Sequence, residues 1–563
     1  MADQSMYGKK IWLNAYEPMI PDSIDFKDIP VPQFLKESAA RFPDHPALIF
    51  QGYSVSFREL DEMVGKFAAA LKDFGIKKGD SVAILLPNVI PCVVAYYAIL
   101  RIGAIVVFNN PLYSDPELEH QFTDSGAKFL ITLDLLVERM VKLREKTGIK
   151  TIVYTSIGDF LPFVKRLLFP LVAKKKGLAA EVSPAPDLFS FKDIMSKYSP
   201  DNTQAELTMD DVAMYQYTGG TTGVSKGVML THGNISFQIQ QIEAWFPEFD
   251  KGAEIMLGAL PFFHVFGMSV SMNLAIRLAW TNVLVPKPQP EPLLEAITKF
   301  KVTFAPLVPT MYIGILDHPD LEHMDLTSIK GCFSGSAPLP LEVINKFETK
   351  TGSVIVEGFG LTESSPVTHV NPFRGRRKVG SIGVPLPDTE CRIVDLEDST
   401  REMPAGEAGE LLIRGPQIMK GYLNKPEETA KTLTKEGFLC TGDVAKMDED
   451  GYFFIVDRIK DMIISGGYNV YPRDIDEVLY EHPKILEACA VGIPHPKRGE
   501  SIKAFVVLKQ GQTLTEKEVI DYCAERLARY KLPVAVEFKE ELPKSNVGKI
   551  LRKDLRKQQE SYD

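Results

Sequence analysis

The densest run of chemically useful side chains is YTGGTTGVSKGVMLTH at 217–232. It follows VAMYQY, an apolar segment that reads as a strand. It then supplies Thr218, Gly219, Gly220, Thr221, Thr222 and Gly223 ahead of Lys226 and Gly227. Glycines let the backbone curl until successive N–H groups face one anion; hydroxyls add donors and the lysine adds charge. This composition describes a phosphate cradle. A Walker A loop places Gly before its lysine and Ser or Thr after it. Here Ser225 precedes Lys226 and Gly227 follows, so the P-loop kinase and motor-ATPase classes are excluded. No G-x-G-x-x-G run offers a dinucleotide site. A Gly/Thr stretch can also be a plain linker, but one closing on Lys-Gly is better explained as an anion site.

The elements that must position this loop belong to a chain of 563 residues, 45% hydrophobic and 25% charged, with mean hydropathy −0.04. These are globular proportions, and the length predicts three or four structural units. Lys plus Arg number 64 against 74 Asp plus Glu, and the net charge of −10 argues against a nucleic-acid partner. Six cysteines lie scattered without a CxxC pair, and the opening MADQSMYGKKIW has no apolar signal core. Reduced thiols and a cytoplasmic location are the expectation.

Two segments raise the question of a membrane. Ser81 to Leu100 is uncharged and nominally long enough to span, but Pro87, Asn88 and Pro91 divide it. SVAILL, CVVAYYAILRIG and AIVVFNN then read as a buried strand, helix and strand. FLPFVKRLLFPLVAKKKG (160–177) mixes bulky apolar groups with Lys165, Arg166 and Lys174–Lys176. It could lie in an anionic headgroup plane, as a candidate peripheral contact on the inner membrane face, or be a surface loop with a solvated basic end. Pro162 and Pro170 are expected to limit any continuous helix there.

Elsewhere, FRELDEMVGKFAAALKDFGIKKG (57–79) has helical spacing and closes on glycine, and ITLDLL (131–136) and TIVYTS (151–156) read as strands around a helical LVERMVKLREKTG. The alternation continues to about Gly380 and predicts an α/β fold of helix-covered, mostly parallel sheets. Short strands such as CRIVDL and GELLIRG predict a small antiparallel or barrel-like subdomain at about 380–456. After Lys460, DIDEVLYEHPKI, EACAVGIP, IKAFVVLK, EKEVIDYCAERLARY and AVEFKE predict a small α+β domain. The expected division is 1–459 and 460–563.

Further landmarks follow the phosphate loop in order: PFFHVFG (261–267), SGSAPL (334–339), EGFGLTESSPV (357–367), GFLCTGD (437–443), DRIKDMIISGGYNVYP (457–472) and PKSNVGKILRK (543–553). Together with the loop they resemble the adenylate-forming superfamily of acyl-CoA synthetases, luciferases and peptide-synthetase adenylation domains. EGFLCTGDVAKMDEDGYFFIVDRIKDMI is similar to the fatty-acyl-CoA synthetase signature.

The resemblance implies two half-reactions: a carboxylate attacks the α-phosphorus of ATP and expels pyrophosphate, then the thiol of CoA attacks the acyl adenylate and expels AMP. Two anions must first meet, which calls for a metal and fixed cations. Glu363 resembles the family's Mg²⁺ carboxylate, with Thr218 as a hydroxyl ligand. Asp443 would accept the ribose hydroxyls, joined by Arg458. Gly335, Ser336, Ala337, Glu357, Gly358, Phe359 and Thr362 would enclose the nucleotide. His264 would border the carboxylate and, with Val265, Phe266, Met268 and Gly360, line the acyl site. Lys549 matches the superfamily's mobile catalytic lysine, and Lys226 is the cation of the loop. Lys460 holds the hinge position, about which SGGYN would bring Ser465, Gly466 and Gly467 to CoA while Lys549 leaves.

Two positions depart from the pattern. Ser225 stands where many members have proline and is expected to loosen the loop. Met268 replaces an aromatic tunnel gate found in a relative. The wall of Phe262, Phe263, Phe266 and Met268 suits a long acyl chain and equally an aromatic acid. A fatty-acid–CoA ligase is the expected activity. An aryl-acid (coumarate-like) ligase, a fatty-acid AMP ligase and a non-catalytic nucleotide-binding regulator are the alternatives, the last disfavoured by the presence of both Glu363 and Lys549.

Overall fold

The computed structural model describes residues 5–218, 224–465, 468–495, 498–544 and 550–560, which form four β-sheets. The first is eight-stranded. Its centre is parallel, with Ser81–Leu85 between Ile105–Phe108 and Phe129–Leu133, and Val212–Thr218 beside Ile105–Phe108. Val212–Thr218 then turns back antiparallel into Lys226–Thr231, which pairs in turn with Gly421–Tyr422. The second sheet has nine strands, parallel from Pro46–Phe50 through Thr281–Leu284, Ile255–Gly258, Phe304–Leu307 and Gly331–Ser334 to Val354–Gly360, with antiparallel strands at both edges.

Both sheets share one apolar core. Helix Ile90–Arg101 is apolar almost all round and every residue of it is buried, as an internal helix requires. Its one charge, Arg101, is offset by Asp61. The uncharged stretch from Ser81 is therefore core, and no helix among the described residues is long and apolar enough to cross a membrane.

Local chemistry sets the element ends. Helix Phe57–Asp73 opens on a capping box in which the Glu59 amide donates to Ser56 Oγ (3.2 Å) and the Ser56 amide donates to Glu59 Oε2 (2.8 Å). It closes at Gly75, at φ +83°, short of the Gly79 expected from the pattern. The strand expected over 131–136 runs instead from Phe129 to Leu133 and yields to a 3₁₀ turn at Asp134–Leu136, where Asp134 Oδ1 accepts from the Leu135 amide.

The segment 160–177 corrects a larger expectation. Despite Pro170, helix Phe163–Lys176 is continuous, with Pro162 at its N-cap and Gly177 closing it in the left-handed conformation. The carbonyl that Pro170 leaves without an amide partner lies on a surface helix, where water can satisfy it. Phe169 pins the helix to the protein: a Cβ on Gly158 would lie 2.5 Å from its ring.

The small unit expected at about 380–456 is a four-stranded antiparallel sheet in the order Glu390–Val394, Gly409–Arg414, Leu439–Met447, Phe453–Arg458. Beyond it, Ile485–His495 and Gly499–Leu508 form a long hairpin flanked by Ile463–Ser465, Tyr468–Val470 and Ala535–Phe538. Helices Pro472–Tyr480 and Glu516–Ala524 pack on this last sheet around apolar clusters of its own. All six cysteines are free.

Candidate active site

In open parallel sheets, ligands gather beyond the carboxyl ends of the strands, where loops are free to present side chains. Three expected motifs leave the second sheet there. Pro261–Gly267 follows Ile255–Gly258, Gly335–Ala337 follows Gly331–Ser334, and Glu357–Gly360 ends its own strand. The first sheet sends out the phosphate loop in the same manner. Thr218 and Lys226 face each other across the Val212–Thr218/Lys226–Thr231 pair. Gly219, Gly220, Thr221, Thr222 and Gly223 themselves lie outside the described residues.

Ser225 is held rather than loose. The His120 ring donates from Nε2 to the Ser225 carbonyl (2.9 Å), and Gln121 Nε2 donates to its hydroxyl (3.5 Å). His120 thus anchors the backbone, and Gln121 the side chain, at the place where a proline would have stiffened the loop.

Two buried side chains tie the Pro261–Gly267 loop to the first sheet. Asn88, in the Pro87–Pro91 turn, donates to the carbonyls of Gly258 (2.9 Å) and Leu260 (2.8 Å) and accepts from the Phe262 amide (2.9 Å). Gln216 donates to the Phe263 carbonyl (2.8 Å). In sequence Asn88 reads only as turn punctuation and Gln216 only as one residue of a strand. His264 lies deep in the protein yet keeps part of its surface accessible, as a side chain lining an internal cleft does. Burial pulls its imidazole down to about 4, so at neutral pH it is an uncharged lining group. Val265, Phe266 and Met268 are buried beside it. Met268 is the second residue of a π-helical run, Gly267–Asn273, and its sulfur accepts from Asn273 Nδ2 (2.8 Å) and Tyr96 Oη (3.5 Å). Irregular turns of this kind recur at functional sites.

Phe266 reaches the Gly335 turn, where a Cβ on that glycine would stand 3.1 Å from its ring. Ser336 follows at φ +73°, a left-handed conformation costly for any residue but glycine, and Ala337 is half-buried. Glu357 Oε1 accepts from the Leu339 amide (3.1 Å); burial raises its carboxyl despite that bond. Gly358 leaves room for Phe333, whose ring a Cβ would meet at 2.3 Å. Phe359 is half-buried and Gly360 exposed, backing onto the Pro366 carbonyl.

Thr362 and Glu363 open the next turn. Glu363 Oε1 accepts from Tyr422 Oη (2.8 Å), and the Lys226 ammonium lies 4.1 Å from the centroid of the same ring. Lys226 also approaches Glu428 (3.6 Å). Tyr422 thereby links residues 226 and 363, an association with no sequence signal beyond a tyrosine in GYLN. One half-buried carboxylate, with no denser acidic cluster among the described residues, fits Mg²⁺, which keeps water and phosphate oxygens as most of its ligands.

Asp443 and Arg458 are directly paired across neighbouring strands, Arg458 Nε lying 3.0 Å from Asp443 Oδ1. Lys460 follows two residues later. Ser465 ends a strand of the C-terminal sheet, separate from the sheets carrying the nucleotide motifs. Gly466, Gly467 and Lys549 lie outside the described residues.

The AMP-binding enzyme family matches residues 35–423, and the C-terminal domain of AMP-binding enzymes matches 474–549. The chain belongs to the AMP-binding enzyme family. It is 46% identical over 552 residues to a long-chain-fatty-acid–CoA ligase of Bacillus subtilis, covering 98% of both chains. It is 40% identical over 554 residues to the long-chain-fatty-acid–CoA ligase of Escherichia coli O6:H1, covering 97% of this chain and 98% of that one. Among solved structures it is similar to ATP-bound MatB from Rhodopseudomonas palustris, with TM-score 0.84 and 28% identity over 95% of this chain and 100% of the other.

Desolvation by the surrounding protein, followed by the charge of Arg458, pulls the Lys460 amine down to about 8, although its side chain keeps an exposed face. An ordinary lysine titrates near ~10.4. Limited acetylation followed by peptide mapping should label Lys460 ahead of the surface lysines at pH 7.5, with a rate that reaches half its maximum near pH ~8. A profile parallel to the bulk lysines would mean that solvent on the exposed face outweighs desolvation.

Proposed function

We propose that this protein is an ATP-dependent, AMP-forming long-chain fatty-acid–CoA ligase. The observation that carries this reading is end-to-end similarity to ligases of that name; the meeting of Lys226 and Glu363 on the one Tyr422 side chain supports it. The fatty carboxylate attacks the α-phosphorus and pyrophosphate leaves; the CoA thiol then attacks the acyl carbonyl and AMP leaves.

The roles of the individual residues form part of the proposal. Lys226 and the N–H groups of the 219–223 run neutralise the triphosphate, and Glu363 with Thr218 holds Mg²⁺, which supplies charge compensation when bound. Asp443 and Arg458 take the ribose. Gly335, Ser336, Ala337, Glu357, Gly358, Phe359 and Thr362 border the base and phosphates. Neutral His264, with Val265, Phe266, Met268 and Gly360, bounds the acid. The chain divides at 459/460; Lys460 is the pivot that exchanges Lys549 for Ser465, Gly466 and Gly467 between the two steps. Supporting that division, the C-terminal sheet has apolar clusters separate from the main core.

Purified protein with ATP and Mg²⁺, offered acids from acetate to oleate and coumarate, should release AMP and form thioester best with long alkyl acids. Adenylate without thioester would move it to the AMP-ligase class, and AMP release independent of acid would overturn the reading. Lys549→Ala should lower adenylate formation by about 10²-fold or more while largely sparing thioester formation from a supplied adenylate, because a positioned charge acts only where charge develops. Equal loss in both steps would remove Lys549 from its role.

We also propose that the protein works in the cytoplasm and touches the inner membrane face through helix Phe163–Lys176. Phe163, Val164, Leu167, Leu168 and Leu171 form one stripe, each more than half exposed. The segment contains five basic and no acidic residues, in a chain whose net charge is −10. An anionic surface would repel the rest of the molecule and select this face, and the substrate partitions into that same phase. Leu167→Glu/Leu171→Glu should reduce co-sedimentation with phosphatidylglycerol-containing vesicles about tenfold or more, with CoA-ligase activity on dispersed substrate retained. Unchanged sedimentation would refute the contact.

A further inference from the structure

Tyr422 is nearly buried and held from several directions. Its strand pairs antiparallel with Lys226–Thr231, placing it opposite Val228, and its amide donates to Thr429 Oγ1 (2.9 Å). On either side, the Leu423 amide donates to the Gly227 carbonyl (2.8 Å) and the Lys420 amide to the Met229 carbonyl (3.0 Å). The same stretch grips the Glu363 turn twice: the Met419 amide donates to the Glu363 carbonyl (2.8 Å), and Tyr422 Oη donates to the carboxylate.

The ring therefore stands between opposite charges. Lys226 lies on its face and Glu363 on its hydroxyl, and Lys226 meets Glu428 rather than Glu363 as its ion-pair partner. An ammonium and a carboxylate left free at such range would close into a direct pair and cancel, withdrawing both from a ligand that needs the cation for phosphate and the anion for a metal. An aromatic face attracts the ammonium without neutralising it, and a phenol orients the carboxylate without removing its charge.

We propose that Tyr422 is a positioning residue of the nucleotide–metal site, keeping Glu363 and Lys226 apart and separately oriented. The inference rests on the reading of Glu363 as the metal carboxylate. Oε1 of Glu363 is committed to the phenol, so Oε2 is the oxygen that would be offered to a cation.

Isothermal titration of the full-length protein with α,β-methylene-ATP, in Mg²⁺ series and in EDTA, tests it with no turnover. Tyr422→Phe keeps the ring and loses the hydroxyl. It should raise the Mg²⁺ concentration for half-maximal nucleotide affinity about tenfold, within the range for a lost charge-assisted bond, while leaving binding in EDTA and the urea midpoint close to native. Tyr422→Leu should additionally weaken binding in EDTA, because Lys226 loses its platform. Glu363→Gln is the reference. If it removes the Mg²⁺ dependence while Tyr422→Phe retains the native one, the role of Tyr422 is overturned alone. If Glu363→Gln itself keeps the native Mg²⁺ dependence, the metal assignment fails and the inference with it. Equal losses for Tyr422→Phe with and without Mg²⁺, accompanied by a lower urea midpoint, would reduce Tyr422 to a packing role.

Discussion

Joining a carboxylate to a phosphate requires two anions to be held within bonding reach. Unscreened, two such charges 4 Å apart repel by about 4 kcal/mol at the effective dielectric of a protein surface. Both must also shed water that a folded chain can replace only with fixed donors and cations. On the proposed residue roles, that repulsion accounts for how the charged groups are held. Lys226 begins a strand instead of ending a flexible arm, Glu363 is tethered by a phenol, and Asp443 sits with Arg458 across a strand pair. Neutral His264 adds no charge beside the site proposed for the acid, which suits an apolar cleft receiving an alkyl chain.

Rigidity is supplied by sheets and delivered through a few buried amides. The two large sheets share one core, but their loops would be free to drift without cross-links between them. Asn88 and Gln216, from the first sheet, fix backbone atoms of the Pro261–Gly267 loop that leaves the second. Amides suit this task because they satisfy carbonyls and N–H groups without adding charge next to the reacting anions. Ser269 extends the same bracing: its hydroxyl donates to the Ser365 carbonyl (2.6 Å), linking the π-helical run behind His264 to the turn that carries Glu363.

The sequence is most legible where periodicity, glycine and charge act together. Alternation of apolar strands with helices predicts the parallel sheets. EACAVGIP lies within strand Ile485–His495 and IKAFVVLK, but for its last residue, within strand Gly499–Leu508, whereas DIDEVLYEHPKI starts in helix Pro472–Tyr480 and runs past its end. Motif order identifies the family. What the chain conceals is contact between distant residues of ordinary type. Tyr422 lies 59 residues from Glu363, and Asn88 lies 174 from Phe262; neither tyrosine nor asparagine carries a periodic or compositional mark. Ser225 is misjudged for the same reason, since its restraint comes from His120 and Gln121, more than a hundred residues away. The helix through Pro170 misleads for a different cause: a rule about interior hydrogen bonds applies with less force on a surface where water completes the set.

The contacts around residue 460 bear on how two half-reactions could share one site. Arg556, on helix Arg552–Glu560, donates to the carbonyls of Lys460 (3.2 Å) and Asp461 (3.0 Å). Arg473 donates to the Ile455 carbonyl (2.6 Å), and its amide donates to Asp457 (2.9 Å). The Arg473 bonds cross the proposed 459/460 division, while the Arg556 bonds lie within the unit that begins at Lys460. The bonds that cross are polar, each worth on the order of 1 kcal/mol net because water replaces them when they part. Separating apolar surfaces on the scale of the shared core would cost about 25 cal/mol per Å² exposed and would not be repaid within a catalytic cycle. A rotation about Lys460 that exchanges polar contacts for other polar contacts stays within the few kcal/mol that ligand binding can supply. Arg552 also binds within the C-terminal unit. It donates to the Ala490 carbonyl (2.6 Å) and pairs with Asp476, keeping helix Arg552–Glu560 with the C-terminal sheet. The segment bearing Lys549 would then travel with that sheet, and the pivot would bend while the C-terminal unit keeps its shape.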